Sequence, residues 1–265
     1  MTRVIVRKSE AEIGRIAAAG TILAGCLDML AAAVVPGVTT LELDGMAEEF
    51  IRGRGGTPTF LGYRGFPGSI CASPNDMVVH GIPGPYVVAD GDLLSLDVGV
   101  TLDGYVADSA MTVPVGTVGA EAQRLLEVTR RSLEAGIGAC RVGNRLGDVS
   151  HAVQVVVEAA GFSVVRSLVG HGVGREMHEE PQIPNYGPAG KGPRLDEGMV
   201  FAIEPMVNAG QHDVYVGADR WSIYSADGSL SAHFEHTVAL TAAGPRVLTR
   251  RPSEVMGAAG RAASA

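Results

Sequence analysis

The sequence predicts an α+β protein, with paired helices laid over antiparallel strands. One observation is the order of its segments: a helix pair, strand-like text, a second helix pair, and strand-like text again. Another is that the two helix pairs align at an offset of 106 residues, matching Gly37 with Gly143, Leu43 with Val149, Phe50 with Val156 and Gly55 with Gly161. Helix–turn–helix segments resemble one another in any case, so these matches leave internal duplication open.

Each element has its own signal. Ser9-Glu10-Ala11-Glu12 reads as a capping box opening a helix with Ile13, Ile16, Ile22, Leu27 and Leu30 on its apolar face, stopped by Pro36-Gly37. Thr39 with Glu42 caps a second helix, which presents Leu43, Met46, Phe50 and Ile51 and ends at Gly53 to Gly56. From Thr57 to Val115, glycine, proline and β-branched residues indicate short strands and turns. Helical patterns return over Ala120 to Cys140 and Leu146 to Ala160, broken at Gly143, and strands are expected from Ser163 to Val247.

With 265 residues, 46% of them hydrophobic and no linker-like interruption, a single catalytic domain is expected over 1–250. The alanine-rich remainder, 251–265, reads as a flexible tail. A net charge of −8 argues against nucleic acid or an anionic membrane as the main partner. Cys26, Cys71 and Cys140 are few, odd in number and far apart, which suits free thiols in a reducing cytoplasm. The charged N-terminus has no apolar signal region, and no charge-free run of apolar residues is long enough for a membrane span.

Several acids stand where a core residue is expected. Leu93-Leu94-Ser95-Leu96-Asp97-Val98 reads as a buried strand with a carboxylate inside it, and the turn Leu102-Asp103-Gly104 leads to Tyr105-Val106-Ala107-Asp108. A hairpin closed by a two-residue loop puts Asp97 and Asp108 on one face, opposite or diagonal to each other. They would repel unless a cation lay between them; the bland alternative is two solvated acids, against which the flanking leucines argue. Val200 to Met206 and Phe234 to Leu240 repeat the anomaly with Glu204 and Glu235.

A histidine-bearing loop, Gly170-His171-Gly172-Val173-Gly174, has glycines spaced to let backbone pass close to a ligand or metal. Asp97, Asp108, His171, Glu204 and Glu235 form an oxygen-rich, thiolate-free set suited to harder divalent ions. Four carboxylates are too much charge for one such ion. Two ions about 3.5–4 Å apart would balance them and make a hydrolytic centre. His178 does not have HExxH spacing, and His80, which ends a strand-like run, reads on its own as structural.

These motifs resemble those of one family, the type I methionine aminopeptidases, with the creatinase-like pita-bread fold of two pseudo-symmetric halves. The resemblance runs from Ser9 to Thr249 and rests on Phe60-Leu61-Gly62-Tyr63, Ser69 to Asn75, His80-Gly81-Ile82-Pro83, Gly170 to Gly174 and Ala202-Ile203-Glu204-Pro205, in order and spacing. It implies that Asp97 chelates one metal, that His171 and Glu204 hold the other, and that Asp108 and Glu235 bridge them. The two ions would be cobalt, manganese, iron, zinc or nickel. It further implies catalytic roles for His80, His178 and Glu204: contact with the scissile nitrogen, stabilisation of the carbonyl, and proton transfer.

The same resemblance gives a substrate site of Phe60, Tyr63, Phe66, Cys71, His80, Met177, His178 and Trp221. It implies removal of the N-terminal methionine from nascent proteins and peptides whose second residue is small. A cytoplasmic monomer with transient ribosome contact, and no nucleic acid substrate or membrane, completes the expectation. Two positions depart from the family's bacterial pattern: Phe60 stands where cysteine is common, and Met177 where phenylalanine is common. Prolidase-like enzymes share the five ligands but usually carry an extra N-terminal domain, and a non-catalytic binding protein of this fold would be expected to have lost ligands.

Overall fold

The structure, a computed structural model, describes residues 4–254. Helix α1 (Glu10–Ala33) and helix α2 (Thr40–Arg52) start where the capping boxes place them. The Glu12 carboxylate accepts the Ser9 backbone N–H at 2.9 Å, and Glu42 accepts that of Thr39 at 2.8 Å. These bonds satisfy donors that a helix start leaves free. α1 buries Ile13, Ile16, Leu23, Leu27 and Leu30, whereas Ile22 lies at the edge of that face. By length and composition alone α1 could cross a bilayer; here its apolar face packs on the first half's sheet. In α2 the buried stripe follows Leu43, Ala47 and Ile51 at i, i+4 spacing, so Met46, expected on it, is left on the flank and 42% exposed.

The first half continues through β1 (Thr57–Pro58), β2 (Cys71–Pro74), β3 (Met77–Val79), β4 (Leu93–Leu102) and β5 (Tyr105–Pro114). β4 is its spine, pairing antiparallel with β5 on one edge and with β2 and β1 on the other. The β4–β5 hairpin turns through Asp103 and Gly104 at φ 50° and 74°, both positive as a tight primed turn requires. Its register sets Asp97 opposite Ala110 and Asp108 opposite Gly99. The two acids are therefore diagonal neighbours on one face.

Helices α3 (Ala120–Ala139) and α4 (Leu146–Ala159) follow, within a residue of their expected ends. The repeat suspected at an offset of 106 holds in the backbone. Gly37 and Gly143 have φ 100° and 96°, and Gly55 and Gly161 have φ 80° and 79°. A left-handed residue is needed at each of these turns, and glycine adopts it without strain.

The second half adds β6 (Ser163–Val164), β7 (Gly170–Gly172), β8 (Glu179–Ile183), β9 (Val200–Ile203) and β10 (Met206–Asn208). It ends with β11 (Val214–Val216), β12 (Ile223–Ser225), β13 (Ser231–His233), β14 (His236–Thr241) and β15 (Gly244–Val247). Its main sheet has the order β15-β14-β9-β7-β8. β12 crosses to pair with β3 of the first half. β5 and β14 are laced together: the Glu235 N–H donates to Ala110 O at 2.9 Å, the Asp108 N–H to Thr237 Oγ1 at 2.9 Å, and the Thr237 hydroxyl to Asp108 O at 2.7 Å.

Of the segment 251–265 expected to be flexible, 251–254 are anchored. Arg251 is buried and ion-paired with Glu254 at 2.7 Å, and Ser253 Oγ donates to Asp28 of α1 at 2.7 Å. The remainder lies outside the described residues.

A close approach fixes how α1 meets the end of the second half. A Cβ on Gly20 would lie 2.3 Å from the Leu248 carbonyl oxygen, a backbone atom that cannot swing aside. Gly20→Ala is expected to destabilise the fold by about 1–3 kcal/mol, measured by urea denaturation, despite alanine's better helix propensity.

Candidate metal centre and peptide pocket

Five expected ligands converge from both halves. Asp97 comes from β4 and Asp108 from β5; His171 lies on β7, Glu204 directly after β9, and Glu235 between β13 and β14. His171 Nε2 stands 3.6 Å from Asp108 Oδ2 and 3.5 Å from Glu204 Oε1. Ligand atoms of Asp108, His171 and Glu235 all lie within 4.8 Å of one another. The His171 Nδ1–H donates to Gly172 O at 2.9 Å, which leaves the Nε2 lone pair directed at the acids.

The donor set fits a divalent cation on a direct observation. Asp97 Oδ1, Asp108 Oδ1 and Glu235 Oε1 are buried and have no hydrogen-bond partner. Burial, followed by repulsion from Asp108, pushes the Asp97 carboxyl well above the usual range. Burial raises Asp108 to about 7. Glu204 and Glu235 rise for the same reason, again with repulsion from their neighbours. Burial lowers His171 to about 4, so its imidazole is neutral and ready to coordinate. Buried carboxyl oxygens without a hydrogen-bond partner are what a cation would satisfy.

A cavity of about 280 Å³ opens onto this cluster. All eight expected substrate contacts line it: Phe60, Tyr63, Phe66, Cys71, His80, Met177, His178 and Trp221. Phe66 and Trp221 meet edge-on with centroids 5.1 Å apart. Phe60 has room because its neighbour is Gly99; a Cβ there would lie 2.8 Å from the Phe60 ring. Cys71 is held opposite Asp97 by the β2–β4 register, and its thiol is pushed up chiefly by burial.

The histidines line the same space. Tyr63 Oη and His178 Nδ1 are 2.8 Å apart, and the His178 ring lies 4.2 Å from that of His171. With the tyrosine donating, His178 carries its proton on Nε2. His80 adopts φ 61°, a conformation a non-glycine residue takes up at some strain. Burial first, then His178, lowers its pKa to about 4.

His233, which was not singled out in the sequence, also lines the cavity; both ring nitrogens are buried without a hydrogen-bond partner, and Nε2 is 4.0 Å from Glu204 Oε2. Its signal was available: it lies two residues before Glu235, the spacing that returns side chains to one face of an extended segment. Arg64, Val79, Leu168 and Met206 also line the cavity and were not singled out. Two glycines of the His171 loop are also required by the packing of the protein itself. A Cβ on Gly170 would strike Ala202 O at 2.4 Å, and one on Gly172 would strike Glu180 O at 2.3 Å. They make room for the protein's own backbone.

This architecture and its cluster of acids place the chain in a class of metallopeptidases. The sequence profile of metallopeptidase family M24 matches residues 14–242, and the chain belongs to that family. The chain is 52% identical over 246 residues to "Methionine aminopeptidase 1" of Bacillus subtilis, covering 93% of this chain and 99% of the relative. It superposes on the crystal structure of methionine aminopeptidase from Thermotoga maritima with a TM-score of 0.92 at 43% identity, covering 94% of this chain and all of that one. A prolidase from Pyrococcus furiosus, 22% identical with a TM-score of 0.75, shares the fold; the match covers 93% of this chain and 66% of the prolidase.

The raised carboxyls set a pH dependence for cation binding. Below about pH 7 the Asp108 carboxyl is protonated in the metal-free site, so a cation must displace that proton. Apparent divalent affinity is expected to fall on acidification, by about tenfold per pH unit for each displaced proton, across the range in which the raised carboxyls hold protons. Calorimetric titration with Mn²⁺ from about pH 5.5 to 8.5 measures this, and a flat profile would contradict it.

Proposed function

We propose that this protein is a methionine aminopeptidase, removing the N-terminal methionine from peptides and nascent polypeptides whose second residue is small. The observation that carries this reading is a single cavity in which the buried acid–histidine cluster adjoins an apolar, aromatic-walled recess. A methionine side chain suits such walls, since sulfur–aromatic contacts are favourable by about 0.3–1.5 kcal/mol each.

In this reading Asp97, Asp108, His171, Glu204 and Glu235 would together hold a pair of divalent ions, with Asp108 and Glu235 the shared ligands that the family resemblance implies. Bound there, the pair of ions would supply an activated water and a seat for the substrate's free amine, which favours chain ends over internal peptide bonds. Glu204, whose carboxyl burial pushes above the usual range, would carry a proton towards the leaving amine. The His178 Nε2–H donates to the scissile carbonyl oxygen as charge gathers on it. His80, neutral at pH 7, contacts the scissile nitrogen. The ions are drawn from cobalt, manganese, iron, zinc or nickel, since the donor set narrows the choice without fixing it.

The proposal extends to a single catalytic domain over 1–250, acting as a cytoplasmic monomer that meets its substrates through transient contact with the ribosome. Phe60 and Met177 keep the recess apolar while changing its shape, so they bear on affinity more than on the reaction.

After EDTA treatment and metal replacement, methionine should be released from Met-Ala-Ser, little from Met-Lys-Ser, and nothing from Ala-Pro. Preferential cleavage of Ala-Pro would overturn the reading in favour of a prolidase-like activity. Among variants, Asp108→Ala should lose bound metal and turnover together. His178→Ala should keep its metal and lose about two to three orders of magnitude in kcat, as deletion of an oxyanion donor does. Metal analysis beside steady-state kinetics separates the two, and two ions retained by Asp108→Ala would refute the bridging role.

A further inference from the structure

Lys8, in the segment before α1, is a buried cation far in sequence from the cavity, and its ammonium bonds Glu179 Oε2 at 2.6 Å. The two side chains are 4% and 13% exposed. The other oxygen, Glu179 Oε1, accepts the backbone N–H groups of Arg175 at 2.8 Å and Glu176 at 3.3 Å. One carboxylate thus clasps the turn between β7 and β8 with one oxygen and Lys8 with the other. That turn carries Met177 and His178, both of which line the cavity.

The clasp is anchored at its far end as well. The Lys8 backbone N–H donates to Gly198 O at 2.6 Å, and Arg7 Nε donates to Glu197 O at 2.7 Å. These bonds fix the segment to the chain just before β9, at whose end Glu204 stands. Gly174 is shaped to the pair: a Cβ there would lie 2.6 Å from both Glu179 Oε1 and Lys8 Cε. Neither residue belongs to the ligand set.

We propose that Lys8 is a positioning residue for peptide cleavage, holding through Glu179 the turn that presents Met177 and His178 to the substrate. The proposal rests on the methionine aminopeptidase reading for what those two side chains do. Without the ammonium, Glu179 is a largely buried carboxylate lacking its counter-charge, and it turns to water and releases the Arg175 and Glu176 N–H groups. His178 then loses its alignment while the five ligands keep theirs.

The test compares Lys8→Met, Glu179→Gln and the double variant, all metal-loaded, with wild type. Backbone hydrogen exchange over 174–179 should rise in each variant, and kcat on Met-Ala-Ser should fall about tenfold or more, as small misplacements at a reacting centre do. Mn²⁺ affinity by calorimetry should stay at the wild-type value. The double variant should be no worse than the more damaged single, because both remove one interaction. Metal affinity falling in step with turnover, additive losses, or unchanged exchange would each overturn the proposal. Should Lys8→Met fail to fold, Glu179→Gln carries the same comparison. Failure of the methionine reading shows separately, as wild type that releases no methionine, and the exchange measurement needs no substrate.

Discussion

Repulsion among four carboxylates buried around one imidazole is the constraint on which the structure depends. Charges of one sign in an apolar interior are unfavourable without a counter-ion, so the surrounding framework has to hold Asp97, Asp108, Glu204 and Glu235 in place. The β4–β5 register fixes the first two as diagonal neighbours. The bonds between β5 and β14 bring the Glu235 segment up to Asp108 through main-chain groups and the Thr237 hydroxyl. Because these holds use the backbone, the acid side chains keep their oxygens for a cation.

The same junction explains why the peptide recess lies beside the acids. β2 runs along β4 in register with Asp97, which places Cys71 at the wall. β3 pairs with β12 across the halves, so His80, just after β3, and Trp221, just before β12, reach one cavity from opposite parts of the chain. The chemistry of the cluster and the apolar recess are two faces of one packing arrangement.

Local features of this fold are written in the sequence. Both capping boxes, and with them the starts of α1 and α2, and the β4–β5 turn follow from residue types at fixed spacing. The acids at 97, 108, 204 and 235 betrayed themselves by sitting in apolar runs of sequence, although only Asp97 and Asp108 lie within strands. What was not legible is long-range. Strands such as β1 and β6 are two residues long and carry no periodicity. The Lys8–Glu179 pair joins residues 171 apart, and nothing local marks it. His80 and Trp221 gained roles only through family resemblance, because a lone histidine before a turn or a lone tryptophan in apolar text is chemically mute. The loop glycines were noticed, but the backbone that packs against Gly170 and Gly172 comes from distant strands and is not visible in the sequence.

The placement of the cavity also bears on when a substrate can be processed. The acids lie among buried residues drawn from both halves, so a terminal peptide bond reaches them best as an extended, unpaired chain end. A protein whose first residues have joined a strand or packed into its own interior no longer offers such an end. Under the proposed function, methionine excision and the folding of the client would compete in time, and a client that sequesters its N-terminus quickly would keep its methionine.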